Sequence, residues 1–256
     1  MTNSTEMKYI DTHCHLENEA FENDREIVIK QASETGIYII TSSIDKGLWF
    51  KGLELAKEHG NVYASIGLDP SNYGDCDKAI DWIRKNQSDI IAIGEVGLDH
   101  FRIRDHSERD EQEKAFRKLI HLANELKLPI QIHSRSAGAK AIAVLEDCSA
   151  GLVHMHAFDG RASYARIASR DLDYYFSIPT SVVRSPQKKK LVKAIAIERL
   201  LLETDSPVLG SMKGERNVPT NISIALKEVS SILRRDEEEL RLLILENTQR
   251  LYREVK

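Results

Sequence analysis

Residues 90–133 show the unit from which the fold is built: Ile90-Ile91-Ala92-Ile93-Gly94-Glu95-Val96-Gly97-Leu98-Asp99, a helical run over 107–128, and then Pro129-Ile130-Gln131-Ile132-His133. The two apolar runs, 90–93 and 130–132, are short and rich in Ile, which is typical of buried strands. Between them, five apolar side chains share one helical face. These are Phe116, Leu119, Ile120, Ala123 and Leu126. We predict a helix there, capped by Ser107 and ended by Pro129. This order indicates a parallel βαβ unit.

The same alternation of short apolar runs and helical segments continues along the chain. Together with those two runs, the predicted strands are residues 8–10, 37–40, 62–66, 90–93, 130–132, 152–155, 174–177 and 200–203, and a last helix is predicted over 237–253. Eight such units favour an α/β fold of the (β/α)8 TIM-barrel type, with an open doubly wound sheet as the alternative. No linker, repeat or low-complexity tract interrupts residues 1–256, so we predict a single domain.

Composition narrows the class of protein. The chain has 256 residues, of which 41% are hydrophobic, so it can bury a full core. Its net charge of −4 means that any polyanion must be met by a local positive patch. Cys14, Cys76 and Cys148 are widely spaced, which favours a reducing compartment over a disulfide framework. Neither Met1–Lys8 nor any other segment has the apolar length of a signal peptide or membrane span, so we expect a cytoplasmic protein.

Polar residues that can bind metal follow several of the predicted strands. His13 and His15 lie two residues apart, so in an extended segment both point to the same side. Glu95 follows an apolar strand and is flanked by glycines, and a carboxylate there is costly unless it is paired or bound to metal. Asp99 is suited either to orient a histidine or to cap a turn. His133 directly follows the fifth strand.

Two further pairs at strand ends are ambiguous. His154 and His156 share one face of the sixth strand, and Glu203 and Asp205 share one face of the eighth. Spacing alone does not choose between the members of either pair. Histidine and carboxylate together form a ligand set that suits Zn, Mn and related divalent ions. The set therefore predicts a metal site at the carboxyl ends of the strands, where barrel enzymes place their active sites.

Six segments, in order and over nearly the whole chain, resemble the TatD-type metal-dependent deoxyribonucleases of the amidohydrolase superfamily. They are Asp11–His15, Ile93–Asp99, Leu128–Arg135, His156–Gly160, Leu201–Pro207 and Arg216–Pro219. The resemblance implies that His156 and Asp205 are the ligands of the two ambiguous pairs. It places His154 at the rim or behind the ligands and gives Glu203 no ligand role.

The resemblance also implies a site for two divalent ions (Mg, Mn or Zn) that share Glu95. One ion would be held by His13, His15, Glu95 and Asp205, and the other by Glu95, His133 and His156. The implied reaction is hydrolysis of DNA phosphodiester bonds, with 3′-5′ exonuclease action as one form of it. The nucleophile is hydroxide activated by both ions, with Glu95 and Asp205 as catalytic residues and Asp205 as general base.

Arg102, Arg135 and Arg216 are the candidates for phosphate contacts, because arginine binds phosphate bidentately. The expected partner is single-stranded DNA without sequence specificity, and a monomer is favoured. Ala157 and His100 depart from the family pattern, which puts the substrate in more doubt than the chemistry. The alternatives are an amidohydrolase-type enzyme for a small ester, lactone or phosphoester, and a non-catalytic nucleic-acid-binding protein, which we would expect to have lost ligands.

Overall fold

The structure, a computed structural model, describes residues 6–255. Residues 1–5 and 256 lie outside the described residues, and so does part of the expectation for Met1–Lys8. Eight parallel strands form one sheet in the order β1 to β8. They are β1 (Tyr9–Cys14), β2 (Ile37–Ser43), β3 (Val62–Ile66), β4 (Ala92–Gly97), β5 (Ile130–His133), β6 (Val153–Met155), β7 (Tyr175–Pro179) and β8 (Leu200–Glu203).

Helices follow each strand and cover the outside of the sheet. They are α1 (Arg25–Glu34), α2 (Trp49–Glu58), α3 (Cys76–Lys85), α4 (His106–Leu126), α5 (Gly138–Asp147), α6 (Ala162–Asp171), α7 (Pro186–Ala194), α8 (Ile222–Leu233) and α9 (Glu237–Leu251). Within residues 6–255 no helix combines the length and apolarity that crossing a bilayer requires. The three cysteines are free and buried, and Cys14 packs in the main hydrophobic core.

Hydrogen bonds between the ends of β8 and β1 close the sheet into a barrel. The Thr12 hydroxyl donates to the carbonyl oxygen of Leu202 at 2.8 Å, and the amide of Asp205 donates to the carbonyl oxygen of His13 at 2.9 Å. The buried Asp11 carboxylate accepts from the amide of Thr204 at 2.8 Å. The predicted (β/α)8 barrel is thus confirmed, and the open doubly wound sheet is wrong.

Several strands run further than the apolar patterns predict, β1 and β4 by the most. β1 reaches Cys14 and β4 reaches Gly97, so that His13 and Glu95 lie inside strands and not after them. Pairing of Val96 with Ile132 and of Gly97 with His133 extends β4 past the apolar run. The carboxyl ends of these strands therefore hold polar side chains on the rigid frame of the barrel, where backbone pairing fixes their positions.

The predicted cap of the long helix is wrong by two residues. The N-cap is Asp105, whose carboxylate accepts from the amides of Ser107 and Glu108 at 2.9 and 3.2 Å. One aspartate oxygen thereby satisfies two free amides of the first turn, which Ser107 inside the helix cannot do. The helix ends at Leu126, two residues before the predicted end, because Lys127 adopts the left-handed conformation with a φ of +55°.

Gly97 is the position in β4 least able to carry a side chain. Its φ is +147°, and a Cβ atom there would lie 2.1 Å from the carbonyl oxygen of His133 on β5. We expect Gly97→Ala to lower the free energy of unfolding by about 2–3 kcal/mol, because overpacking adds to the unfavourable φ. Urea titration monitored by circular dichroism measures this. Gly60→Ala is the control, since nothing lies within 4 Å of its Cβ position, and an equal loss in both variants would contradict the prediction.

Candidate metal centre

A cavity of about 490 Å³ opens at the carboxyl ends of the strands. Its floor consists of histidines and carboxylates, and its walls carry basic and apolar side chains. The lining includes His15, Glu95, His133, His156, Asp205, Arg102, Arg135, Lys188, Ile44, Val208 and Leu209. A concave site with converging polar groups at this face is where barrel enzymes perform chemistry.

The carboxylate of Glu95 stands between two groups of histidines. Its Oε2 lies 3.2 Å from His13 Nε2 and 3.6 Å from His15 Nε2. Its Oε1 contacts Nδ1 of His133 and lies 3.8 Å from Nε2 of His156. Each oxygen of one side chain therefore faces a different pair of imidazoles, which is the arrangement that a carboxylate shared by two cations requires.

Asp205 faces the first of these groups. Its Oδ1 lies 3.4 Å from His15 Nε2 and 3.8 Å from His13 Nε2. Its backbone has a φ of +55°, in the left-handed region, and its amide is tied to the carbonyl oxygen of His13. Aspartate tolerates this conformation better than most residues, and such backbone often occurs at functional sites.

Hydrogen bonds orient the imidazole rings. Nδ1 of His15 donates to the carbonyl oxygen of Ser42 at 2.7 Å. Nδ1 of His13 bonds Gln131 Oε1 at 3.0 Å, and Nδ1 of His156 bonds Glu203 Oε2 at 2.8 Å. In each ring Nδ1 is occupied, so Nε2 faces the carboxylates and is the atom that a bound cation would contact. Partners of this kind are what metal-bound histidines have.

His133 is oriented by Asp99, which resolves the two roles that the sequence left open for this aspartate. Asp99 Oδ2 lies 3.2 Å from His133 Nε2, while its Oδ1 accepts from the amides of Phe101 and Arg102. Asp99 therefore both caps the turn after β4 and holds the histidine. His133 consequently presents Nδ1, and not Nε2, to Glu95.

Charge compensation in the site is strong. Burial raises the pKa of Glu95, but the neighbouring His133 and His156 outweigh it and hold that pKa well below its usual range. Burial lowers the pKa of His133, yet Glu95 and Asp99 raise it to about 10. Imidazolium protons thus balance the buried carboxylates here, and a bound cation would take over this task and release the protons.

A separate observation indicates that these residues fit a divalent metal ion. Nε2 of His13 is buried 3.2 Å from Glu95 Oε2, yet among residues 6–255 no group forms a well-directed hydrogen bond with it. An orphaned buried nitrogen is costly unless something binds it. Three sets of side chains bring metal-binding atoms within 4.8 Å of one another. They are His13, His15 and Asp205; Glu95, His133 and His156; and His13, His156 and Glu203. Imidazole and carboxylate donors suit Zn, Mn and related ions.

The structure brings together all six side chains that the resemblance implied as ligands, and their ligand roles stay a prediction. Of the three arginines, Arg102 and Arg135 line the cavity. Arg216 is not among the lining residues. Its guanidinium pairs with the Asp24 carboxylate at 2.8 and 2.5 Å.

His154 does not lie at the rim. It is fully buried inside the barrel, between Tyr252 at 2.6 Å and Ser177 at 2.6 Å, so that part of the expectation is wrong. Glu203 is likewise buried, and it accepts from the amide of Ala157 as well as from His156.

The structure also shows the positions of three further side chains from the loops after β4 and β6. Phe158 is buried against Phe176 and serves as packing. Phe101 is half exposed beneath the guanidinium of Arg135, 3.9 Å from the ring centre. His100 is not among the residues that line the cavity.

Lys188 is a residue of the site to which the sequence motifs did not point. Its ammonium group is buried beside the cavity and donates to the carbonyl oxygens of Ala157 and Phe158 at 2.7 and 2.8 Å. Burial lowers its pKa to about 8. Lys188 opens a run of three lysines that resembles a solvated surface. The informative pattern was its spacing of three and four residues from Leu191 and Val192, which puts all three on the inward face of α7.

Comparison with known proteins finds relatives over nearly the whole chain. The family profile described as "TatD related DNase" matches residues 10–253. An uncharacterised metal-dependent hydrolase of Methanocaldococcus jannaschii is 34% identical over 97% of this chain and 98% of its own. The human deoxyribonuclease TATDN3 is 35% identical over 95% of this chain and 94% of its own.

Solved structures agree on the fold. The crystal structure of YjjV, a TatD homologue from Escherichia coli, superimposes with a TM-score of 0.87 at 24% identity and covers 96% of this chain and 98% of its own. At that identity the likeness shows the fold alone. The match of the family profile across nearly the whole chain carries the assignment further: this chain belongs to the TatD family of metal-dependent hydrolases.

Proposed function

We propose that this protein is a deoxyribonuclease that uses two divalent metal ions. The observation that carries the proposal is the position of Glu95, whose two carboxylate oxygens face two separate groups of histidines. The printed names of relatives such as human TATDN3 support DNA as the substrate. His13, His15 and Asp205 would hold one ion, His133 and His156 the other, and Glu95 both.

The chain's own residues supply the rest of the chemistry. When bound, divalent ions lower the pKa of water and offset negative charge on phosphoryl oxygens. Asp205 borders the cavity and its side chain is 9% exposed, so it is placed to accept the proton of an attacking water as general base. Glu203 and Asp99 keep His156 and His133 in place while charge develops, which limits reorganisation in the reaction.

The cavity walls suit a nucleotide. Arg135 and Lys188 follow β5 and β7 and bring positive charge to one side, whereas Arg102, after β4, is paired with the Asp69 carboxylate at 3.0 Å. Ile44 and Val208 follow β2 and β8 and make the opposite side apolar. Phosphates would lie against the basic side, and a base would lie against the apolar one.

Finer properties follow from the same features. The cavity accommodates a strand end or a single flexible strand better than a duplex, so we propose action on single-stranded DNA. Within residues 6–255, none of the cavity walls is a helix or two-stranded β-ribbon shaped to enter a groove of DNA. We therefore expect little sequence specificity. Every proposed ligand comes from one chain, which favours a monomer, and the three free cysteines favour a cytoplasmic location.

Arg135 and Arg216 form a matched pair for testing the phosphate contacts. Arg135 lines the cavity, whereas Arg216 is occupied by Asp24. We expect Arg135→Ala to raise KM for a DNA oligonucleotide about 10-fold, because a hydrogen bond to a charged group contributes about 1.5–3 kcal/mol. Arg216→Ala should leave KM within about 2-fold, in keeping with the small effects of exposed ion pairs. Steady-state kinetics on an end-labelled oligonucleotide decides this, and the opposite ranking would refute the assignment.

The proposed function is tested by adding Mg²⁺, Mn²⁺ or Zn²⁺ in turn to metal-stripped protein. Each sample is given an end-labelled single-stranded DNA, the matching duplex, an RNA of the same sequence, and a small ester and lactone. We expect metal-dependent cleavage that is fastest on single-stranded DNA. Turnover of the ester or lactone without DNA cleavage, in protein shown to bind metal, would contradict a nuclease.

A further inference from the structure

A buried chain of hydrogen bonds runs beneath the proposed metal site and joins two of its histidines, His13 and His156. The residues between them are Gln131, Tyr252, His154, Ser177 and Glu203, all at most 2% exposed. Tyr252 comes directly after α9, in the small core that fills the amino-terminal end of the barrel with Ile10, Ile40 and Leu201. This series of hydrogen bonds therefore reaches the metal site from the end of the barrel opposite the cavity.

On the His13 side, the carbonyl of Thr12 fixes the orientation of the Gln131 amide. Nε2 of Gln131 lies 3.0 Å from the carbonyl oxygen of Thr12, which can only accept, so the amide nitrogen must be there. The amide oxygen then faces the Ser42 hydroxyl at 2.5 Å and His13 Nδ1 at 3.0 Å and accepts from both. His13 consequently carries its proton on Nδ1, and its unpartnered Nε2 faces Glu95.

Tyr252 continues the hydrogen bonds from Gln131 toward His154 and His156. The second amide hydrogen of Gln131 points to the tyrosine oxygen at 3.0 Å, so the tyrosine accepts there. Its own proton then has His154 Nδ1, at 2.6 Å, as acceptor. His154 must therefore hold its proton on Nε2.

The remaining bonds end at His156. His154 Nε2 donates to the Ser177 hydroxyl at 2.6 Å, and that hydroxyl donates to Glu203 Oε2 at 2.6 Å. The same oxygen accepts from His156 Nδ1 at 2.8 Å. His156 thus also carries its proton on Nδ1 and turns Nε2 toward Glu95. The two rings stack with centroids 3.7 Å apart, so an error in one orientation disturbs the other.

We propose that the hydroxyl of Tyr252 is a positioning group that links the hydrogen bonds behind His13 to those behind His156 and so couples the two metal positions. The proposal rests on the two-ion site of the proposed function. It gives the residue after α9 a task beyond filling the barrel, because loss of the hydroxyl leaves one buried amide hydrogen of Gln131 and Nδ1 of His154 without their partner.

The test is Tyr252→Phe, with Mn²⁺ titrated calorimetrically into metal-stripped protein. We expect the Kd of both ions to rise about 10-fold, the lower end of the effect of losing outer-shell partners of metal-bound histidines. The matched control is Tyr175→Phe, which removes a hydroxyl from another buried tyrosine of the same small core. Control Kd values should stay within about 2-fold of wild type. Thermal melting of the metal-free proteins reports any loss of packing separately.

Ser177→Ala interrupts the series of hydrogen bonds between His154 and Glu203. It cuts the branch to Glu203 and leaves the Gln131 branch intact, so only the ion beside His156 should bind more weakly. Imidazole ¹⁵N shifts of the Zn²⁺-loaded proteins report the tautomer of His154 directly, with the proton on Nε2 in wild type and mixed protonation in Tyr252→Phe, because Nδ1 then loses its donor.

Wild-type Kd values in Tyr252→Phe, or an equal loss in Tyr175→Phe, would overturn the proposal. A wild-type protein that binds no Mn²⁺ would overturn the two-ion site and this inference with it. Weakened Mn²⁺ binding in Tyr252→Phe, found in a protein that cleaves no DNA, would support the inference and contradict only the nuclease assignment.

Discussion

Replacing Asp205 by asparagine is expected to lower kcat for DNA hydrolysis by about 10²–10⁴-fold, the usual contribution of a general base. The amide keeps the size of the side chain but cannot take up a proton. Asp205 Oδ1 also faces His15 and His13 at 3.4 and 3.8 Å, so affinity for the ion on that side should fall as well. The ion beside His133 and His156 should bind as in wild type.

The control for this variant is Asp159→Asn, at a second carboxylate that lines the same cavity. Asp159 accepts from the amide of Ser136 and has no place in the proposed chemistry. Its kcat should stay within about 3-fold of wild type, because the asparagine oxygen can accept the same bond. Full activity of Asp205→Asn at saturating metal would refute the assigned role of Asp205.

Replacing Glu95 by glutamine is expected to abolish binding of both ions at micromolar concentration, and activity with it. Glu95 is the one proposed ligand that faces both groups of histidines. An amide offers one oxygen in place of two charged ones, so at least one group loses its anionic ligand. We expect the apparent Kd of each ion to rise by at least about 100-fold, since direct ligands matter more than the outer partners.

Glu203→Gln is the comparison for that variant. Glu203 touches His156 through Nδ1 and does not line the cavity. Its loss should weaken only the ion beside His156, by about 10-fold. Metal content after dialysis, measured by mass spectrometry, separates the two variants. Two ions retained by Glu95→Gln would contradict a shared carboxylate.

Much of the fold was predictable because local patterns agreed with tertiary structure. The apolar run before Gly94, the helical face around Phe116 and the stop at Pro129 each point to one βαβ unit, and the structure contains it. The two-residue spacing of His13 and His15 likewise placed both imidazoles on one side. These inferences need only the backbone period.

The position of each polar side chain along the barrel axis was not predictable in this way. His154 and His156 share a face, as do Glu203 and Asp205, but two residues of strand correspond to about 6–7 Å along the chain. The lower member of each pair lies inside the barrel, and the upper one borders the cavity. Where a layer of side chains ends depends on the stagger of all eight strands, which no single strand reports.

Ion pairs and hydrogen bonds between residues far apart in sequence were equally unpredictable. Arg216 lies in a matched motif, yet its partner Asp24 is 192 residues away in sequence, and only the fold shows that its charge is occupied. Lys188 shows the converse, because α7 turns one lysine of a basic run into the protein. Charge in a loop therefore indicates a phosphate contact only after its neighbours are known.

Anomalous diffraction from crystals soaked in Mn²⁺ is the most direct measurement of the site. Two peaks are expected, one on each side of Glu95, the first beside His13, His15 and Asp205 and the second beside His133 and His156. A single peak, or peaks away from Glu95 at a concentration that supports hydrolysis, would contradict the two-ion centre.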